Sequence, residues 1–154
     1  MKNVGFTIGK FAPLHKGHQY LIEKGLKEMD EFFVVIYETD KIDISIERRA
    51  NWIKNIYPDV KVIYANNPPM QYGLDEESVK IQTDYLKNII KDLPVTHFYS
   101  SEEYGKHVAE KLNVINRIVD QKRGEFPISA TEIRENIEKY KKYIHPIVYN
   151  DCKK

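Results

Sequence analysis

Apolar and polar positions alternate between two spacings along the whole chain. Five short apolar runs, rich in β-branched and aromatic residues, are typical of buried strands; they cover residues 4–8, 32–37, 60–64, 95–99 and 114–119. Between and after these runs, apolar residues recur every three or four positions, which predicts helices; the helices cover residues 18–29, 45–57, 75–91, 102–112 and 129–143. Residues 66–73 have the Pro, Gly and Asn content of a loop.

This order of elements predicts an α/β domain with a Rossmann-like, five-stranded parallel sheet flanked by helices. Each parallel crossover needs a long connection, and a helix supplies it. Ligands bind such sheets at the carboxyl ends of the strands, near the point where the strand order reverses. Candidate functional residues are therefore those that follow each predicted strand. We place the domain at residues 1–145 and expect residues 146–154 to form a C-terminal tail.

Composition narrows the classes of function. The 154 residues are 42% hydrophobic, which suits one soluble globular domain. The 24 basic and 23 acidic side chains give a net charge of +1, which argues against a nucleic-acid-binding protein. The single cysteine, Cys152, excludes a disulfide within the chain and a Cys-rich zinc site. No apolar run is long enough for a signal sequence or a membrane span, so we expect a cytoplasmic protein without membrane contact.

The first candidate site is the segment 9–18, GKFAPLHKGH, which joins the first predicted strand to the first predicted helix. His15 lies in the loop and His18 in the first helical turn, so both side chains can face one spot above the helix N-terminus. Free backbone N–H groups and the helix dipole favour an anion there, and Lys10 and Lys16 add positive charge. Imidazoles that donate to phosphate oxygens would stabilise charge in a transition state. The alternatives are a helix cap with two surface histidines, or a zinc pair, which lacks a nearby third ligand.

The second candidate site is the segment 128–134, ISATEIR, at the start of the last predicted helix. Ser129 and Glu132 have the spacing of a capping box, so the segment could serve only to begin the helix. Thr131 and Arg134 nevertheless lie one turn apart and share a face. With the Ser129 N–H they would form a second phosphate cradle. Two helix N-termini of this kind suggest a triphosphate held between them.

The two segments resemble the His-x-Gly-His and Ile-Ser-x-Thr-x-x-Arg motifs of the nucleotidyltransferase superfamily. Within it, Gly9-Lys10-Phe11 followed by Pro13 and Leu14 is most similar to the NadR-type nicotinamide mononucleotide adenylyltransferases. Three further segments resemble the NadR pattern: Arg49 with Trp52, Tyr99-Ser100-Ser101-Glu102, and Val119-Asp120 with Arg123. The resemblance covers nearly the whole chain and implies the nucleotidyltransferase fold.

The resemblance also implies a role for each matching residue. Charge stabilisation at the α-phosphate and binding of the phosphates would fall to His15, His18, Lys10 and Arg134. The remaining ATP contacts would come from Gly9, Phe11, Gly17, Ser100, Ser101, Asp120, Arg123, Ile128, Ser129 and Thr131. Arg49 would meet the acceptor, and so would Asp40, because it follows the second predicted strand. Tyr72 or Trp52 could take the place of the tryptophans that the family usually has, although Trp52 could equally be a core anchor. Mg²⁺ would accompany ATP, and we expect no metal ligands from the chain itself.

The implied activity is transfer of AMP from ATP to nicotinamide mononucleotide, giving NAD and pyrophosphate. The alternatives are another phosphorylated acceptor such as pantetheine phosphate, a cytidylyltransferase substrate, or a nucleotide sensor without turnover; a homo-oligomer is left open. Cytidylyltransferases carry a second motif closer to Arg-Thr-x-Gly-Ile-Ser-Thr, so the PISAT segment favours ATP. One departure bears on the acceptor. Gly73 is followed by Leu74 and Asp75, where NadR proteins usually have tryptophans, and the Gly-rich loop of their kinase domain is absent from this sequence.

Overall fold

The computed structural model describes residues 2–39, 41–69, 75–101, 104–119 and 128–153. Within them, five strands form one parallel sheet: β1 (Val4–Gly9), β2 (Glu31–Tyr37), β3 (Lys61–Ala65), β4 (His97–Ser100) and β5 (Ile115–Ile118). Their spatial order is β3-β2-β1-β4-β5. The predicted five-stranded parallel sheet is confirmed.

Helices connect the strands and extend beyond β5. They are α1 (Lys16–Glu28), α2 (Ile46–Ile56), α3 (Glu76–Ile90), α4 (Tyr104–Leu112), α5 (Ala130–Glu135) and α6 (Pro146–Lys153), with a 3₁₀ turn at Lys141–Tyr143. Side-chain caps begin several of them. Ser45 accepts a hydrogen bond from the Arg48 N–H at the start of α2, and Asp75 accepts one from the Ser78 N–H at the start of α3.

Both faces of the sheet are covered, as a parallel sheet requires. Alternate residues of β2 enter two different cores because successive strand side chains point to opposite faces. Val34 packs in the core that also holds Ile22 of α1 and Ile53 of α2. Val35 packs in the core that holds Leu86 of α3 and, from α4, Val108.

The strand order reverses at β1, and this places the ligand crevice. The chain runs outward from β1 to β2 and β3, then returns to the other side of β1 as β4 and β5. The connections after β1 and after β4 therefore leave in opposite directions. An open α/β sheet has its crevice at that point, outside the carboxyl ends of the two strands.

The last predicted helix, residues 129–143, is wrong in its length, because α5 ends at Glu135. Asn136 has the extended φ of −155° there, and its side-chain oxygen accepts a hydrogen bond from the Lys139 N–H. Asparagine competes in this way with the helical hydrogen bonds and favours a turn. The expected tail, residues 146–154, contains α6, whose Val148 is fully buried in the core on the α1 and α2 side.

Candidate functional site

A cleft of about 560 Å³ opens at the carboxyl ends of β1 and β4. Ten of the residues predicted from the two motifs and the β4 end line it: Gly9, Lys10, Phe11, His15, Gly17, His18, Ser100, Ser101, Ile128 and Ser129. The two segments that resemble the superfamily motifs therefore meet in one place, although they lie near opposite ends of the chain. Their meeting follows from the topology, since α1 and α5 both begin at this edge of the sheet.

His15 and His18 form the N-terminal cap of α1. The Nδ1 atom of His15 accepts hydrogen bonds from the N–H groups of Gly17 at 3.0 Å and His18 at 3.4 Å. The Nδ1 atom of His18 accepts one from the His15 N–H at 3.2 Å. A neutral imidazole that accepts at Nδ1 carries its proton on Nε2. Both rings therefore present an Nε2–H donor, and they stack with centroids 3.7 Å apart.

The loop before α1 is shaped around Phe11. Its φ of 53° lies in the left-handed region, which a non-glycine residue adopts at a cost of about 1 kcal/mol. The buried ring packs edge-on against His18, with centroids 4.8 Å apart. A Cβ on Gly9 would lie 3.1 Å from the same ring, so glycine at the end of β1 leaves room for it. Phe11 is thus buried against His18, and little of its ring is open to a ligand.

Arg134 connects the second motif to the first. Its Nη1 donates to the carbonyl of Ala12 at 2.5 Å, and its Nη2 donates to the Thr131 hydroxyl at 3.3 Å. Ser129 caps α5, and its hydroxyl oxygen accepts from the Glu132 N–H at 3.3 Å. Thr131 and Arg134 are exposed beside the cleft, whereas Ser129 lines it. The N-terminus of α5 is therefore held facing the loop that precedes α1.

Arg49 is fully buried and connects backbone segments beside the site. Its Nη1 donates to the carbonyls of Lys10 at 2.7 Å and Tyr37 at 2.8 Å, and its Nε donates to that of Ile44 at 3.1 Å. These carbonyls belong to the loop after β1, the last residue of β2 and the loop after β2. Burial lowers the pKa of the guanidinium, but arginine stays charged because its ordinary pKa is so high. We expected Arg49 to contact the acceptor; its burial gives it a positioning role instead.

Trp52 occupies the core position that the sequence had left open as the alternative. Its side chain is 2% exposed and packs among the residues of the α1 and α2 core. The indole N–H donates to Asp151 of α6 at 2.9 Å, and Arg48 donates to the same carboxylate at 3.1 Å. The expectation that Trp52 stacks on an acceptor is therefore corrected, because its ring has no surface to offer.

The other predicted site residues are Asp40, Tyr72, Asp120 and Arg123, which lie outside the described residues. Their roles stay predictions. Lys16, which we expected to add charge to the phosphate site, lines a second groove on the far side of the α1 N-terminus.

Several lining residues were not predicted. Tyr37 at the end of β2 and Gln82 of α3 line one end of the cleft, and Gly105 of α4 lines the other. A Cβ on Gly105 would lie 2.6 Å from the Ser100 hydroxyl, so glycine allows α4 to approach the end of β4. Tyr37 is the last residue of a predicted strand, which is a usable signal. Gln82 has none, because it is one polar position among many on an amphipathic helix.

The described residues offer neither a cluster of metal ligands nor a membrane-spanning helix. No group of three or more His, Cys, Asp or Glu in the described ranges could hold a metal ion. Among the helices of the same ranges, none is long and apolar enough to cross a membrane.

The chain is similar to several known proteins. The profile of the citrate lyase ligase C-terminal domain matches residues 7–69, which include the segment around His15 and His18. The trifunctional NAD biosynthesis/regulator protein NadR of Salmonella typhimurium is 30% identical over 162 residues, covering 93% of this chain. The chain spans 39% of the length of that relative. The nicotinamide-nucleotide adenylyltransferase of Haloarcula marismortui is 23% identical, over 92% of this chain and 85% of its own length.

The same likeness holds in three dimensions. A crystal structure of a NadR protein in complex with NAD and AMP-PNP superposes with a TM-score of 0.69 and 25% identity. The superposition covers 96% of this chain and 46% of the NadR chain. The chain is thus similar in fold to that NadR structure.

Proposed function

We propose that this chain, which is similar to the NadR proteins, transfers the adenylyl group of ATP to nicotinamide mononucleotide. The products would be NAD and pyrophosphate. One observation carries the proposal: His15 and His18, whose neutral rings carry the proton on Nε2, line the same cleft as Ser129 at the N-terminus of α5. Two helix N-termini and two imidazole donors around one space suit a polyphosphate.

The phosphates of ATP would lie between the N-termini of α1 and α5. Ser129 lines the cleft on the α5 side, and Lys10 lines it on the β1 side. The adenosine would extend toward Ser100, Ser101 and Gly105 at the ends of β4 and α4. ATP would arrive as its Mg²⁺ complex, with the ion carried on phosphate oxygens as part of the substrate.

The acceptor would occupy the opposite end of the cleft, where Tyr37 and Gln82 lie. An oxygen of its phosphate forms a bond to the α-phosphorus of ATP. The bond from that phosphorus to the α,β-bridging oxygen breaks, and its electron pair leaves with pyrophosphate. His15 and His18 would donate hydrogen bonds to the α-phosphate oxygens, where negative charge accumulates. Positioning and charge stabilisation then account for catalysis, and no protein nucleophile takes part.

An acceptor panel tests the proposal. The protein is incubated with Mg²⁺ and ATP together with nicotinamide mononucleotide, nicotinic acid mononucleotide or 4′-phosphopantetheine, and the adduct and pyrophosphate are measured together. We expect equal amounts of NAD and pyrophosphate with nicotinamide mononucleotide, and much slower reactions with the other two. A preference for 4′-phosphopantetheine would overturn the acceptor. Binding of ATP with no product from any acceptor would indicate a nucleotide sensor, and replacement of ATP by CTP checks the donor.

A further inference from the structure

A second groove of about 730 Å³ lies on the other side of the α1 N-terminus. We name it the lysine groove, because its charged lining consists of Lys16, Lys139, Lys141, Lys142 and Glu138. Four positive charges against one negative charge contrast with a net charge of +1 for the whole chain. Lys139, Lys141 and Lys142 follow one another closely in the chain and lie with Lys16 around one concave surface.

Two lysines of the groove lie close to aromatic rings. The Nζ of Lys141 lies 4.5 Å from the ring centroid of Tyr149, and that of Lys142 lies 5.1 Å from the ring centroid of Tyr143. The Tyr149 ring is buried, and its hydroxyl donates to the one carboxylate of the groove, Glu138, at 2.6 Å. Ammonium groups placed in this way lose less side-chain freedom when an anion binds.

The lysine groove adjoins the phosphate end of the cleft. Lys16 lies between His15 and Gly17, and both of these line the cleft. Ala130, the first residue of α5, lines the cleft. Glu138, three residues after the last residue of α5, lines the groove. A six-residue helix is only about 9 Å long at 1.5 Å per residue. Arg134 lies on this short helix and contacts the loop before α1, so positive side chains continue from one site to the other.

We infer that the lysine groove binds oligophosphates and receives the pyrophosphate that leaves the cleft. The inference rests on the proposed function for its second part, since pyrophosphate departs on the side opposite to the attacking acceptor, toward the N-termini of α1 and α5. A small oligophosphate fits better than a nucleic acid, because the four lysines surround one concave surface on a chain whose net charge is only +1.

A binding experiment tests the groove without requiring turnover. Inorganic tripolyphosphate is titrated by calorimetry into the protein whose cleft is already saturated with AMP-PNP. Two triple variants remove the same charge: Lys139→Gln/Lys141→Gln/Lys142→Gln in the groove, and Lys27→Gln/Lys87→Gln/Lys91→Gln at exposed positions elsewhere. We expect one tripolyphosphate site in the wild type, weakened about tenfold in the groove variant and less than twofold in the control. Equal weakening in both variants, or no binding once AMP-PNP is present, overturns the inference.

The reverse reaction tests the link to turnover. With NAD and pyrophosphate as substrates, the groove variant should have a raised KM for pyrophosphate, an unchanged KM for NAD and a control-like kcat. An unchanged KM for pyrophosphate would overturn the second part of the inference. A wild-type protein that forms neither NAD nor ATP contradicts the proposed function, whereas the calorimetric result still decides whether the groove binds oligophosphate.

Discussion

His15 and His18 each accept a hydrogen bond from the backbone N–H of the other, at Nδ1. This reciprocal cap begins α1 and, in the same contacts, places the proton of each neutral ring on Nε2. Helix capping and the proposed donation to a phosphate are therefore compatible in one arrangement. The sequence left a helix cap and a catalytic pair as alternatives, and the structure makes them compatible.

Replacing His15 should separate the two roles. In His15→Asn the side-chain oxygen can replace Nδ1 as the N-cap acceptor, but no donor remains at the position of Nε2. We expect turnover to fall by on the order of 10²–10³, with a melting temperature close to that of the wild type. His15→Ala should lose turnover to a similar extent and also lose about 1 kcal/mol of stability. Steady-state kinetics and thermal unfolding measure the two effects.

His145 supplies a matched control for that experiment. Its Nδ1 accepts a hydrogen bond from the Ile147 N–H at 3.1 Å at the start of α6, outside the cleft. His145→Ala should therefore reduce stability and leave turnover unchanged. A His15→Asn protein with wild-type turnover would remove His15 from the proposed chemistry.

Removing the Arg49 guanidinium should destabilise the protein strongly. Arg49→Ala removes the buried guanidinium that donates to the carbonyls of Lys10, Tyr37 and Ile44, and each polar group left buried and unsatisfied costs about 1–3 kcal/mol. We expect a loss of about 2–4 kcal/mol in the free energy of unfolding, measured by urea denaturation. Arg49→Lys should recover only part of it, because an ammonium cannot reproduce the fork of the guanidinium.

The neighbouring Arg48 serves as the control for the stability loss expected in Arg49→Ala. It lies on the same helix and pairs with Asp151, but its side chain is 41% exposed. Arg48→Ala should cost about 1 kcal/mol or less. Equal losses for Arg48→Ala and Arg49→Ala would contradict the burial on which the positioning role rests.

Trp52 should affect stability and not acceptor binding. Trp52→Phe keeps an aromatic ring in the core but removes the N–H that Asp151 accepts, so we expect a loss of about 1–2 kcal/mol in stability. The KM values for ATP and for the acceptor should both stay at their wild-type values. A folded Trp52→Phe protein with a raised KM for the acceptor alone would show that Trp52 contacts the acceptor.

Glu28 should contribute a pH-dependent part of the stability. Hydrogen bonds from Arg117 and then Tyr99 lower its pKa from 4.5 to about 2. A carboxyl group with a lowered folded-state pKa stabilises the protein above its unfolded pKa, and the contribution disappears as the pH falls from about 4.5 toward 2. Because the side chain is one-third exposed, the contribution is about 1 kcal/mol or less.

The variant Glu28→Gln isolates that contribution. Its free energy of unfolding should be lower than that of the wild type at neutral pH, and the difference should shrink below pH 4.5. Glu110→Gln, at an exposed position of α4, controls for the loss of one carboxylate. A difference between Glu28→Gln and the wild type that stays constant from pH 7 to pH 3 would refute the lowered pKa.

The sheet and the motif loops could be predicted from local pattern, and the contacts between distant segments could not. The β2 run and the Ser45 cap are encoded within a few residues, and so is the spacing of His15 and His18. The role of Trp52 depends on Asp151, far along the chain in a helix that was expected to be a tail. The placement of Lys16 depends on where residues 139–142 fold after Asn136 ends α5.

The most direct measurement follows the α-phosphate itself. The protein is incubated with Mg²⁺, nicotinamide mononucleotide and ATP labelled with ³²P at the α-phosphate, beside a His15→Asn/His18→Asn variant that is shown by calorimetry to bind ATP. The account predicts that the label enters NAD in the same amount as unlabelled pyrophosphate is released, and that the variant forms neither product at a comparable rate. Label recovered only in ADP or AMP, or equal rates from the two proteins, would contradict adenylyl transfer at the two histidines.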